Sequence, residues 1–301
     1  MAPWVKSKYR YLDPRAAARF ANLSLVAHSV VEGFIAGLHK SPYRGFSAEF
    51  AEHREYAPGD NIRDLDWRAL ARTDRYYVKQ YEEETNLRCH ILLDASASMD
   101  YKSGGVTKYE YACYLAASLA YLMVRQQDSV GLVVFSDEVK TRFPPHSTAT
   151  HLDMMLKAME RIEPGGRTNL ADTFHALAQN IKKRGLLIVL SDLYDDERSV
   201  LSALRHFRHK RHEVIVFHIF DHDELAFPFN RLIEFRDIET GERLQVDPRY
   251  AREEYLRQVK GFVEYYKRVT SESNIDYITA DTRTPYDLLL TAYLSKRKRV
   301  R

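Results

Sequence analysis

The chain has 301 residues, of which 45% are hydrophobic and 29% charged, a composition typical of a globular protein with one large or two small domains. The formal net charge of +3 is too close to balance to indicate a protein that binds nucleic acid over its whole surface. The two cysteines, Cys89 and Cys113, do not have the spacing of a metal-binding or redox motif. The sequence has no apolar segment of the kind found in signal peptides and none long enough to span a membrane. We therefore expect a cytoplasmic protein with no membrane insertion.

The first 86 residues predict a helix and a small β subdomain. Residues 16–36 carry apolar side chains at helical spacing, on a face broad enough to pack against a larger body. Residues 46–56 and 75–81 are strand candidates, separated by a turn that is dense in Arg and Asp around Trp67. Such a turn typically clamps a small subdomain through Arg–carboxylate pairs, and we prefer this interpretation to a catalytic one.

The clearest chemical signal follows a short apolar segment. Residues 91–93 show no alternation of apolar and polar side chains, which predicts a strand buried on both faces. Asp94, Ser96 and Ser98 follow that strand, and residues 107–126 predict a helix. A loop between a parallel strand and its helix lies at the carboxyl edge of the sheet, where open α/β folds bind ligands. Its oxygen donors suit Mg²⁺, Mn²⁺ or Ca²⁺, although the same pattern also occurs in simple turns.

Strands and helices alternate along the rest of the chain. The predicted strands are 129–136, 138–143, 186–190, 214–220 and 276–280, and the predicted helices are 151–162, 170–183, 200–209, 249–270 and 286–295. This order predicts a doubly wound, mostly parallel, Rossmann-like sheet, with 138–143 as an antiparallel edge that ends at Pro144-Pro145. We expect two parts, residues 1–86 and residues 87–301, with a hairpin inserted in the second at residues 231–246.

Two later loops carry further oxygen ligands. Thr168 lies in a Gly-rich loop before a helix, and Asp192 directly follows a buried strand. Each of them also suits the simpler role of a helix cap. Since both loops are expected at the same edge of the sheet as Asp94, Ser96 and Ser98, the five side chains are candidates for one site.

The charged turn, followed along the chain by a buried strand that ends in Asp-x-Ser-x-Ser, resembles the bacterial DUF58 family, whose members carry a von Willebrand factor type A domain. The match is most specific over residues 44–137 and is looser elsewhere. The positions of the turn that carry it are Arg54, Tyr56, Pro58, Gly59, Asp60, Arg63, Asp66, Trp67, Ala71 and Arg72.

The resemblance implies a metal-ion-dependent adhesion site made of Asp94, Ser96, Ser98, Thr168 and Asp192. Two carboxylates and three hydroxyls suit Mg²⁺ (or Mn²⁺ or Ca²⁺) and leave coordination positions that an acidic residue of a partner can fill. The resemblance also implies the partner, a MoxR-type AAA+ ATPase or a client protein. The chain would then be a non-catalytic adaptor or chaperone module.

Two other functions compete with this hypothesis. Asp94 after a buried strand is similar to the aspartyl nucleophile of Mg-dependent phosphohydrolase-like enzymes, but these need a second carboxylate where this chain has Ser96. The basic segment 296–301 is typical of a solvated helix end, and we do not expect it to bind nucleic acid. We therefore expect no enzymatic activity, and we expect His218 to be a core residue rather than a ligand.

Overall fold

The computed structural model describes residues 48–55, 67, 70, 75–83, 87–166, 168–236 and 241–299. The helix predicted at residues 16–36 and most of the charged turn at 54–72 lie outside the described residues. The chain forms two compact units, of which one lies within residues 32–86 and the other contains residues 87–301.

The smaller unit contains an antiparallel pair of strands, β1 (Ala48–Glu55) and β2 (Tyr77–Glu83). An irregularity between Phe50 and Glu52 shifts their register, as an extra residue in one strand of an antiparallel pair does. Both predicted strands of this region are therefore confirmed, and their bounds differ from the prediction by at most two residues.

The larger unit is built on a central sheet flanked by helices. Its strands are β3 (Arg88–Asp94), β4 (Ser129–Phe135), β5 (Val139–His146), β6 (Leu186–Ser191), β7 (Glu213–Phe220) and β10 (Asp276–Asp281). The helices are α1 (Lys108–Arg125), α2 (Ala149–Arg161), α3 (Leu170–Asn180), α4 (Glu197–His209), α5 (His222–Ala226), α6 (Pro248–Glu272) and α7 (Tyr286–Arg299). The strand order is β10-β7-β6-β3-β4-β5, and only the β4–β5 pair of this sheet is antiparallel. The chain is thus an α/β protein with a mostly parallel sheet.

The strand β3 lies near the centre of the sheet and is buried on both faces. Every side chain from Cys89 to Asp94 is buried. Because successive side chains of a strand point to opposite faces, both faces of the sheet are covered. Leu92 packs in a core cluster with Phe174 of α3 and Phe207 of α4, while α1 contacts β3, β4, β6 and β7. The strand predicted from the continuous apolar run is confirmed.

Several boundaries differ from the sequence-based expectation, and for two of them the physical reason is visible. The edge strand β5 does not end before Pro144 but continues through both prolines to His146, because an edge strand tolerates residues without an N–H donor. The strands β4 and β5 can approach each other closely because β4 has a glycine, Gly131, at this point. If Gly131 were replaced by a residue with a side chain, the Cβ atom would lie 2.6 Å from the Phe143 carbonyl oxygen. The helix α4 begins at Glu197 rather than at residue 200, since Asp196 caps it.

A short hairpin follows β7 and α5 along the chain. Its strands are β8 (Ile233–Arg236) and β9 (Arg243–Val246), which pair antiparallel within the predicted segment 231–246. Residues 237–240, between the two strands, lie outside the described residues. Among the helices that the structure describes, none combines the length and the apolar character that crossing a membrane requires.

Candidate functional site

Three loops meet at the carboxyl edge of the sheet and are joined by hydrogen bonds. The loop after β3 and the Gly-rich loop before α3 bond to each other twice: Gly165 N–H donates to the Ala95 carbonyl (2.9 Å) and Ala97 N–H donates to the Gly166 carbonyl (3.2 Å). The Lys140 ammonium donates to the carbonyl oxygens of Ala95 and Gly165, at 3.2 and 2.8 Å. The first two predicted ligand loops are therefore fixed against each other.

The third loop, after β6, is tied to the start of α3. The Asp195 carboxylate accepts the N–H groups of Leu170 and Ala171, at 2.8 and 3.4 Å. Thr168 is partly buried. It lies in the chain between Gly166, which is bonded to the first loop, and Leu170, which is bonded to the third loop. The structure thus places Thr168 in a segment that is held at both ends by the two other ligand loops.

Asp94 lies at the centre of the arrangement and is fully buried. One carboxylate oxygen accepts the Ser96 N–H (2.9 Å) and the other accepts the Ser191 hydroxyl (2.6 Å). The hydroxyl oxygens of Ser96 and Ser98 are 3.1 Å apart. Burial, followed by the charge of Asp192, raises the pKa of Asp94, and the hydrogen bonds from Ser191 and Ser96 only partly oppose this. A nearby cation would favour the ionised carboxylate.

Asp192 is also buried, but its charge is compensated. Its carboxylate accepts the Lys108 ammonium at 2.7 Å and the Tyr194 N–H at 3.3 Å, and it is hydrogen-bonded to the Ser98 side chain. Burial by itself would raise the pKa of Asp192, but the charge and hydrogen bond of the Lys108 ammonium, followed by the hydrogen bond with Ser98, outweigh it and hold the pKa below its ordinary value. Asp192 is therefore linked to Asp94 through the two serines of the first loop.

Lys108 is a residue of the site that the sequence reasoning missed. It is the first residue of α1, where Thr107 and Glu110 form a capping box with two hydrogen bonds of 3.0 Å. Its side chain is 3% exposed, and its ammonium donates to Asp192 and, at 2.8 Å, to Glu224 of α5. A lysine in the first turn of a helix is ordinary, and no local pattern indicates that it meets two distant carboxylates.

The donor set fits a hard divalent cation. The described residues contain no group of three or more His, Cys, Asp or Glu side chains that could hold a metal ion, but the predicted site depends on hydroxyls as well as carboxylates. Asp94, with the neighbouring hydroxyls of Ser96 and Ser98, offers the oxygen ligands that Mg²⁺ prefers. With Asp94, Asp192 and Glu224 ionised and Lys108 protonated, the cluster carries a formal charge of −2, which one divalent cation balances.

His218 supports the site from the core. It lies in β7, fully buried, and its Nε2 is 2.7 Å from the carbonyl oxygen of Asp192 while its Nδ1 is 2.6 Å from the Tyr277 hydroxyl. Burial lowers the pKa of His218 to about 3, so the ring is neutral. Because a carbonyl only accepts, Nε2 carries the proton and Tyr277 donates to Nδ1. The predicted core role of His218 is confirmed.

A cavity of about 460 Å³ opens beside the cluster. It shares Lys108 and Asp192 with the cluster, and Tyr194, which is 70% exposed, also lines it. Further wall residues come from the start of α4, from α5 and from one face of α6: Glu197, Glu224, Tyr255, Val259 and Phe262. The candidate metal cluster therefore borders a second concave surface.

Solved structures to which the chain is similar include BatB from Bacteroides thetaiotaomicron, with a TM-score of 0.48 and 18% identity; the match covers 71% of this chain and 99% of that one. An aerotolerance-related membrane protein from Bacteroides fragilis, crystallised with multiple mutations to serine, has a TM-score of 0.46 and 20% identity, with 70% of this chain and 99% of that chain covered.

Curated relatives include uncharacterized proteins of Mycobacterium bovis and Mycobacterium tuberculosis, each 28% identical over 243 residues, which are 78% of this chain and 75% of theirs. Residues 52–262 match the family model described as protein of unknown function DUF58. Since this match covers more than half of the sequence, the chain belongs to the DUF58 family.

Proposed function

We propose that this chain is a non-catalytic binding module that engages an acidic residue of a partner protein through a divalent cation. The observation that carries the proposal is the meeting of the three ligand loops, in which the buried Asp94, Ser96 and Asp192 and the partly buried Ser98 form one hydrogen-bonded cluster. Thr168 belongs to the loop that is fixed between them. Mg²⁺ is the expected cation, and Mn²⁺ or Ca²⁺ would suit the same oxygen ligands.

The residues of the cluster would coordinate the cation and still leave it able to bind a further ligand. Asp94 and the hydroxyls of Ser96, Ser98 and Thr168 would hold the cation, while Asp192 orients Ser98 from behind. When bound, the cation supplies a Lewis-acidic position that attracts a carboxylate. Because Lys108 already compensates Asp192, Asp94 is the one carboxylate of the predicted set without such a partner. The cation would therefore keep an affinity for a further anionic ligand.

We extend the same proposal to the fold type of the larger unit and to the partner. The position of β3 between β6 and β4, with all three ending at the site, supports a von Willebrand type A-like, Rossmann-like domain. The family resemblance supports a MoxR-type AAA+ ATPase or a client protein as the partner, and a role as adaptor or chaperone module. The cytoplasmic location stays a prediction from the sequence.

We propose no catalytic role for Asp94. Its carboxylate oxygens accept hydrogen bonds from the Ser96 N–H and the Ser191 hydroxyl, and neither of these partners is a carboxylic acid that could act as the general acid of a phosphohydrolase. Ser96 stands where an aspartyl phosphohydrolase would need its second carboxylate. A binding role uses the same cluster without requiring that missing group.

Calorimetric titration of Mg²⁺ and Mn²⁺ into the wild type and into Asp94→Asn tests the proposal. The substitution preserves shape but removes the charge, so cation affinity should fall by at least about tenfold. Asp153→Asn is the matched control, because Asp153 lies on α2 in an ion pair with Lys157 away from the cluster. Binding of a MoxR-type ATPase should weaken when the cation is chelated. Unchanged cation binding in Asp94→Asn would contradict the metal site.

A further inference from the structure

We propose that a pair of histidines between α3 and α4 binds a Zn²⁺ ion, at a site that shares no residue with the Asp94 cluster. The pair consists of His175 on α3 and His206 on α4. The Nδ1 atoms of the two rings are 3.2 Å apart, and both side chains are partly buried. Imidazole nitrogen is a common ligand of Zn²⁺, whereas Mg²⁺ prefers oxygen. The pair would therefore take a different cation from the Asp94 cluster.

The distance between the two nitrogen atoms fits a zinc ion. Zn²⁺ binds histidine nitrogen at about 2.0–2.1 Å and is usually tetrahedral, so two of its nitrogen ligands lie about 3.3 Å apart. The observed Nδ1–Nδ1 distance of 3.2 Å is close to this value. A square-planar ion with bonds of the same length would hold two neighbouring nitrogen atoms at about 2.9 Å. The pair is thus already spaced for a tetrahedral ion.

Without a metal, one hydrogen bond joins the two rings. One Nδ1 carries a proton and donates it to the other Nδ1, which accepts through its lone pair. Zn²⁺ needs the lone pairs of both atoms, so the donor ring must move its proton from Nδ1 to Nε2. In a neutral pair this shift releases no net proton. Burial, and then the charge of His175, lowers the pKa of His206, which favours the neutral ring that binds metal.

The packing of the two helices holds the rings in place. Phe174 and Phe207, each next in sequence to one histidine of the pair, are fully buried, and their ring centroids lie 6.1 Å apart. Asp195 fixes the start of α3 by accepting two backbone N–H groups. His212, which follows α4, has its Nε2 atom 3.2 Å from the Ile181 carbonyl oxygen at the end of α3. These contacts preorganise the pair for a ligand.

The protein would supply two of the four zinc ligands. Within the part of the chain that the structure describes, no three His, Cys, Asp or Glu side chains are grouped so that they could hold a metal ion together. Cys89 and Cys113 are buried, so neither thiol is available at this surface. Two positions of a tetrahedral ion would stay open to water. The ion would join α3 to α4 and stabilise the folded state, because the unfolded chain does not hold the two rings together.

Calorimetric titration of Zn²⁺ into the full chain tests the proposal. Zn²⁺ affinity should fall at least about tenfold in His175→Gln and in His206→Gln, because each change removes one of the two protein ligands. His146→Gln is the matched control and should bind Zn²⁺ like the wild type. His146 is exposed at the end of β5, and the Nε2 atom of its neighbour His151 is 3.1 Å from the Val130 carbonyl oxygen.

A second measurement needs no variant. In a long-range ¹H–¹⁵N spectrum of the wild type, Zn²⁺ should shift the Nδ1 resonances of His175 and His206 and leave both Nε2 atoms protonated. Nδ1 resonances that do not respond to Zn²⁺, or unchanged affinity in both glutamine variants, would overturn the proposal. The spectrum decides the question even where a variant fails to fold.

The Asp94→Asn variant separates this site from the proposed function. Zn²⁺ binding should persist there, since the imidazole nitrogens do not depend on Asp94. Its loss in Asp94→Asn would assign the zinc ion to the three ligand loops and contradict the histidine site. A failure of Mg²⁺ binding in the earlier calorimetry would leave the zinc result intact, because the two cations use different ligands.

Discussion

Lys108 carries a positive charge in the interior, where it bridges two carboxylates from different parts of the chain. Its ammonium lies 2.7 Å from Asp192 and 2.8 Å from Glu224. Burial alone would lower the pKa of Lys108, but the two carboxylates raise it above the ordinary value. Removing one member of such a buried network leaves the others uncompensated. Lys108 therefore acts on both the stability of the fold and the charge next to the proposed cation.

We expect Lys108→Met to destabilise the metal-free protein by about 3–5 kcal/mol, because two buried carboxylates lose their partner. The same substitution should tighten Mg²⁺ binding by at least about tenfold, since a nearby positive charge disappears and Asp192 is released to the cation. Urea unfolding and calorimetric titration measure the two effects.

Lys157→Met is the control for this prediction. Lys157 pairs with Asp153 on the exposed side of α2, so its loss should change stability by less than about 1 kcal/mol and leave Mg²⁺ affinity as in the wild type. Unchanged or weaker Mg²⁺ binding in Lys108→Met would contradict the assigned role of the ammonium.

Residue types at strand ends made part of the site predictable. Asp94 and Asp192 follow strands that the apolar runs identify, and parallel strands bring their ends to one edge. Lys108 and Glu224 were not predictable in this way. They are 116 positions apart and meet only because α1 and α5 begin at the same edge of the folded sheet.

At the scale of elements, one glycine controls how the second ligand loop meets the first. Gly166 has φ +90, a backbone conformation that strains any other L residue, and its carbonyl accepts the Ala97 N–H. An added Cβ would lie 3.1 Å from an Asp137 carboxylate oxygen and 3.2 Å from the Ser136 hydroxyl. The adjacent Gly165 has no atom within 4 Å of an added Cβ.

We expect Gly166→Ala to cost about 1–2 kcal/mol of stability and to weaken Mg²⁺ binding severalfold, because the strained loop moves Thr168 away from Asp94. Gly165→Ala adds the same methyl group one residue earlier and should leave Mg²⁺ affinity unchanged. Chemical unfolding and calorimetry of the pair provide the measurement. Equal cation affinity in both variants would show that the second loop contributes no ligand.

The existence of most described elements could be predicted, whereas their ends depended on contacts that a single sequence does not display. The strands β3 and β6 appear as short continuous apolar runs because both faces of the sheet are buried. The early start of α4 depends on the Asp196 side chain. The continuation of β5 through its prolines depends on its place at the edge of the sheet, which follows from the strand order and not from local sequence.

At the scale of the whole molecule, buried histidines link stability to pH. His90 lies in β3 and is 7% exposed, and burial, with the charges of His212, Arg142 and Arg88, lowers its pKa to about 4. In the unfolded chain the same ring takes up a proton near its ordinary pKa of 6.5. Between these values the unfolded state binds more protons, so the free energy of unfolding falls as the pH decreases from about 6.5 to about 4.

We expect His90 to account for about 2 kcal/mol of the stability lost between pH 7 and pH 5. His90→Leu, which fills the same buried position without a titrating ring, should show a correspondingly smaller loss over that interval. Urea unfolding at the two pH values measures it. His209→Leu, at the exposed end of α4, should lose as much stability as the wild type. If His90→Leu lost as much stability as the wild type over this pH interval, the role assigned to His90 would be contradicted.

The proline-bearing strand β5 also determines how this sheet meets other chains. A strand at the edge of a sheet normally offers a row of unpaired N–H and C=O groups on which a second chain can add a strand. Pro144 and Pro145 have no N–H to offer, and the exposed side chain of Arg142 adds a charge to the same strand. Strand addition at this edge, and the aggregation that follows from it, is therefore disfavoured.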